Sequence, residues 1–205
     1  MPRPQTAREA WQVLESGNAN FVAGTPAHPR QDADVRLAIA NRQKPFAALF
    51  GCSDSRLAAE MIFDVGLGDL FVVRNAGQVI AETILGSLEF AVEVLKVPLI
   101  LVLAHDECGA IRSTMNAANG TLSVEGEFIH NLVDRIMPTV QRSLEAGETS
   151  IDEITDRHVR DTIAELLERS KVISEAVKDG KLAVVGANYK LELGEVHAIL
   201  THGQI

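Results

Sequence analysis

The sequence predicts an α/β fold: a mainly parallel central sheet flanked by helices, with a helical N-terminal arm. Three observations carry this. Consecutive apolar residues recur in short runs at 46–51, 70–74, 99–104 and 182–185. Amphipathic helical patterns, such as 82–95 and 163–177, separate them. Apolar strands without polar alternation, spaced by helices, make a parallel sheet covered on both faces. The 205 residues, 46% hydrophobic and 23% charged, suffice for one buried core without disulfides.

Taken in order, residues 6–24 read as a helix. Thr6 followed by Glu9 is a capping-box pattern, and Trp11, Val13, Leu14 and Phe21 supply an apolar face. A proline-broken polar segment, 25–30, leads to a second helical stretch near 32–42. These form the arm, 1–42, and residues 43–205 form the core of a single domain spanning 1–205. Most of 127–180 reads as helix, with breaks expected at Pro138 and around Gly147. Sheet order is not derivable from this pattern.

Composition excludes several functions. Nineteen basic against 28 acidic residues give a net charge of −9. Such a chain lacks the Lys/Arg footprint that nucleic acid or an anionic membrane requires. Residues 1–6 lead into a polar stretch rather than an apolar export core, and no run approaches the roughly 20 residues of a membrane span. A cytoplasmic protein is expected. The two cysteines, Cys52 and Cys108, are too few for a disulfide scaffold.

Chemistry gathers after two strands. The first runs into Cys52-Ser-Asp54-Ser-Arg56, the third into His105-Asp-Glu-Cys108-Gly109. Ligands bind at the carboxyl ends of parallel strands. Two thiolates, an imidazole and the Asp54 carboxylate offer three protein ligands and an exchangeable fourth position, the layout of a catalytic zinc site. Either motif alone reads more readily as buried cysteine or core histidine than as a metal site. Their coincidence at two strand ends favours metal. Asp54 and Arg56 read either as an ion pair or as a switch, in which Asp54 takes the fourth zinc position in a closed state or is held away by Arg56 so that water enters.

The paired motifs, with Phe71-Val-Val-Arg-Asn-Ala-Gly77 and Gly86-Ser-Leu-Glu-Phe-Ala91 between them, resemble the β-class carbonic anhydrases. The resemblance implies reversible hydration of carbon dioxide to bicarbonate and a proton by zinc-hydroxide attack, hence a lyase, a carbonate dehydratase. It implies one zinc per chain on Cys52, His105 and Cys108, with the catalytic pair Asp54 and Arg56 beside it. It further implies a homodimer, or a tetramer of paired dimers, whose N-terminal helices embrace the neighbour. For substrate binding it points to Gln43, nine positions before the first cysteine, to the apolar Phe71, Ala76 and Phe90, and to the backbone amide near Gly109. In a branch with an inhibitory bicarbonate site, tryptophan stands three residues before that cysteine. Leu49 stands there in this chain, although Arg74 matches. Two thiolates cancel the charge of Zn2+, so bound water is acidified less than at a three-histidine site, and activity is expected to rise into the alkaline range. Carbon disulfide and carbonyl sulfide hydrolases share these motifs and are the rival reading, together with a non-catalytic zinc module.

Overall fold

A computed structural model describes residues 3–121 and 125–205. Met1 and Pro2, at the start of the polar N-terminal stretch, lie outside the described residues.

In chain order the elements are α1 (Ala7–Val22), α2 (Ala33–Ile39), β1 (Ala47–Cys52), α3 (Ala59–Ile62), β2 (Leu70–Asn75), a 3-10 turn (Ala76–Gln78), α4 (Glu82–Glu93), β3 (Leu99–His105), α5 (Gly109–Ala118), α6 (Glu127–Glu145), α7 (Ile151–Arg169), α8 (Lys171–Lys178), β4 (Ala183–Lys190) and β5 (Glu195–His202). The sheet runs β2-β1-β3-β4-β5. Its first four strands are parallel. The fold class is therefore as the sequence predicts. β5 departs from the expectation: it returns antiparallel beside β4 and closes one edge. Polar Glu195, His197, Thr201 and His202 interrupt its apolar residues and none of its residues is fully buried, so it lacks the continuous apolar run of the inner strands.

Because successive strand residues face opposite sides, each strand feeds two cores. Leu49, Leu101, Leu103 and Val185 pack with Leu14, Phe63, Ile111 and Ile136, under α1, α3, α5 and α6. Phe50, Ile100, Val102 and Val184 pack with Leu88, Val159, Ile163 and Ile173, under α4, α7 and α8.

The capping box of Thr6 and Glu9 forms as read, and Ser150 with Glu153 makes a second one. Two helix boundaries need correction. α6 passes through Pro138 without a break, so the missing N–H is absorbed inside a helix of 19 residues. The stretch 163–177 is two helices, divided at Ser170. Ser170 is buried, caps α8 by accepting from the Ile173 N–H, and donates to Glu89 on α4 at 2.7 Å.

Half of the arm docks on its own core. Buried Asn18 donates to the carbonyls of Ile62 and Gly194 at 3.2 and 2.8 Å and accepts from the Val196 N–H at 2.9 Å. Gly17 lets α1 lie against the end of α3: a Cβ there would sit 1.7 Å from the Phe63 carbonyl oxygen. The other half is bare, since α2 buries none of its residues.

Candidate metal centre

β1 and β3 are neighbours in register, Gly51 opposite Leu103, so both strands end at one level. Cys52 is the last residue of β1 and His105 the last of β3. A tight loop, with Glu107 at φ 54°, brings Cys108 to the start of α5. The three side chains are buried, and their ligand atoms all lie within 4.8 Å of one another. The two sulfurs are 4.0 Å apart. A tetrahedral ion with bonds near 2.3 Å would hold them about 3.8 Å apart.

His105 fits such an ion by its tautomer. Its Nδ1 is 2.7 Å from the Asp106 carbonyl oxygen, which can only accept, so Nδ1 carries the proton. Nε2 is left with a bare lone pair, buried and without a hydrogen-bond partner. An orphaned acceptor between two buried sulfurs is costly unless it ligates something.

The thiols share a proton. The contact with Cys108, helped by the His105 ring and by the N–H groups of Gly77 and Asp54, draws the Cys52 thiol down to about 4 against the opposing effect of burial. Its thiolate pushes Cys108 up, and burial adds to this, so Cys52 ionises first. The Gly77 N–H donates to Cys52 Sγ at 3.3 Å.

Asp54 lies at the mouth of the cluster, its Oδ2 3.8 Å from His105 Nε2. Arg56 grips it through three hydrogen bonds: backbone N–H and Nε to Oδ1, both at 2.9 Å, and Nη2 to Oδ2 at 2.8 Å. The guanidinium holds the Asp54 carboxyl well below the usual carboxylate range. Arg74 braces the same loop, donating to the carbonyls of Cys52 and Asp54 at 2.8 and 2.6 Å. Asn75 closes the next turn by bonding both backbone groups of Val79.

Ala76 and Gly109 are exposed beside this cluster, Ala76 next to Gly77 and Gly109 next to Cys108. Gln43 is exposed between α2 and β1. Phe71 and Phe90 meet each other, ring centroids 6.1 Å apart. They stand apart from the cluster of their own chain: Phe71 pairs with Ala48, whereas Cys52 pairs with Asn75 four residues on, about 13 Å along the strand. Sequence reading did not find the Gly77 N–H donor, the Asp106 carbonyl or the Arg74 brace, because each acts through backbone groups that no residue pattern marks.

Comparison with known proteins agrees with this geometry. Residues 47–196 match the family model described as carbonic anhydrase. Carbonic anhydrase 2 of Mycobacterium tuberculosis is 51% identical over 186 residues, covering 90% of this chain and 89% of that protein. The carbonic anhydrase of Mycolicibacterium smegmatis is 47% identical over 91% of this chain and 90% of that one. Among solved structures, one from a study of two tetrameric β-carbonic anhydrases of Sordaria macrospora superposes with a TM-score of 0.72 at 25% identity, covering 92% and 95%.

Proposed function

Because this chain belongs to the β-class carbonic anhydrase family, we propose that it hydrates carbon dioxide reversibly to bicarbonate and a proton, with zinc held by Cys52, His105 and Cys108. The observation that carries the metal assignment is the buried, unpartnered Nε2 of His105 between two buried sulfurs. Soft sulfur with imidazole suits Zn2+ and not Mg2+ or Ca2+. When bound, the ion would acidify a water for attack on carbon dioxide.

The chain's own groups do the rest. Arg56 keeps Asp54 ionised and engages both its oxygens, which we read as the open arrangement of the switch. Asp54 accepts a hydrogen bond from water entering the site and aims its lone pair at the substrate. The N–H near Gly109, at the start of α5, faces developing bicarbonate oxygens. The Gly77 N–H helps to hold Cys52 as a thiolate ready to ligate.

The neutral, narrow substrate needs an apolar wall, which the Phe71–Phe90 pair of the same chain does not supply. We assign that wall, with Gln43 and Ala76, to a site completed by a second copy in a homodimer or larger assembly. Exposed Phe90 and the uncovered α2 support this reading. Among the described residues no helix is long and apolar enough to cross a membrane, and the two reduced cysteines suit a cytoplasmic location.

Stopped-flow hydration of carbon dioxide on zinc-loaded protein, with pH varied, is the test. We expect one zinc per chain and a catalytic efficiency that climbs into the alkaline range. Zinc-loaded protein that hydrolyses carbon disulfide but leaves carbon dioxide unhydrated would reject the assignment.

A further inference from the structure

We propose that His158, on α7, is a positioning residue for the metal-binding thiolate of Cys52 and acts through Gly77. The inference rests on the zinc assignment above. Its first observation is geometric. His158 Nε2 lies 2.7 Å from the Gly77 carbonyl oxygen. A carbonyl only accepts, so Nε2 carries the proton and Nδ1 is bare. The same residue, Gly77, donates its N–H to Cys52 Sγ at 3.3 Å. Gly77 is thus held at both ends, by helix α7 on one side and by a sulfur on the other.

The second observation is that Gly77 cannot hold this pose by steric default. It sits at φ 73°, ψ 14°, in the left-handed region. A Cβ there would meet Ile136 Cδ1 at 2.8 Å and Ala110 Cβ at 2.9 Å. Only glycine fits, and glycine has the most freedom to leave. Asn75 secures the loop at Val79, but among the described residues the Gly77 carbonyl itself is held by His158.

The third observation concerns what His158 gives up. It is buried, and its Nδ1 has no hydrogen-bond partner. An apolar residue would remove that orphaned Nδ1 but would leave the Gly77 carbonyl oxygen without its donor. Its burial also removes it from the proton-shuttle role that a surface histidine could serve. Burial pushes the imidazole down, so the ring stays a neutral donor toward Gly77. Donors that orient ligand atoms from behind tune metal affinity. An N–H aimed at sulfur withdraws charge from the thiolate and fixes which lone pair faces the ion.

Three variants separate this role from mere filling of the core. His158→Gln keeps an N–H donor near the Nε2 position. His158→Asn is polar but too short to reach Gly77, and His158→Phe fills the volume without a donor. Each is loaded with Co2+, whose affinity is measured by competition with a chromogenic chelator and whose sulfur-to-metal absorption reports the thiolate. We expect Asn and Phe to weaken Co2+ binding about 10-fold and shift that absorption, while Gln stays within about 2-fold of the unsubstituted protein. Folded Asn and Phe variants with unchanged affinity and spectrum would overturn the proposal, as would a Gln variant no better than Asn. Failure of the unsubstituted protein to bind Co2+ would instead end the zinc assignment, and the proposal with it. Should the Asn and Phe variants not fold, NMR of the cadmium-loaded unsubstituted protein decides. A coupling between the Gly77 amide proton and cadmium, with His158 protonated on Nε2, is expected; its absence, or the opposite tautomer, refutes the role.

Discussion

Asp54 owes its charge to Arg56, and the two residues bear different parts of the site. The carboxyl is held below the usual range, so the pair persists into acid and is lost only as pH falls through that depressed value. Asp54→Asn should therefore bind zinc as before and lose about 100-fold or more in turnover. Cys52→Ser and His105→Ala should lose the metal instead; metal analysis beside the hydration assay tells the two effects apart. These residues were legible in the sequence because Cys52, Asp54, Arg56, His105 and Cys108 follow directly on apolar strands. His158 and Gly77 were not. The first is a lone histidine on a long helix, the second a glycine in a loop, and their link spans 81 positions.

Elements show where local pattern suffices. The four parallel strands announce themselves because burial on both faces demands unbroken apolar runs. Pro138 misleads, since a helix packed on a core tolerates one lost hydrogen bond. Ser170 hides a break because it is both the end of α7 and the cap of α8. The docking of α1 yields a test: Gly17→Ala should lower stability by about 1–3 kcal/mol, despite alanine's higher helix propensity, because the Phe63 backbone cannot yield. Thermal unfolding checks it. A second test lies on α7. His158 is depressed below its ordinary value by burial, with Asp161, Cys52 and Glu165 only partly opposing. The unfolded chain then takes up a proton that the folded chain refuses. Stability is full above the unfolded value and is lost as pH falls from it. Melting temperature should drop more steeply between about pH 7 and pH 5 than in His158→Gln.

At the scale of the molecule, a stripe on the outer face of α4 exposes Gly86, Phe90 and Val94, successive positions on one side of a helix. Among the described residues, nothing beyond the helix's own adjacent backbone comes within 4 Å of a Cβ built at Gly86, so no such contact requires a glycine there. Close approach of another copy in the proposed assembly would give it a use. Sedimentation equilibrium should find a dimer or larger assembly, and Phe90→Asp should shift it toward monomer with loss of hydration activity. None of this was readable from the −9 net charge, which bears on solubility and leaves the interface unmarked. The adjacency of β1 and β3 has one more consequence, in time rather than space. Cys52 and Cys108 are 56 positions apart and meet only when two parallel strands have paired across the intervening α3, β2 and α4. Such non-local pairing forms slowly compared with helices. A metal that needs Cys52, His105 and Cys108 together would therefore find its full site only after β1 and β3 have paired.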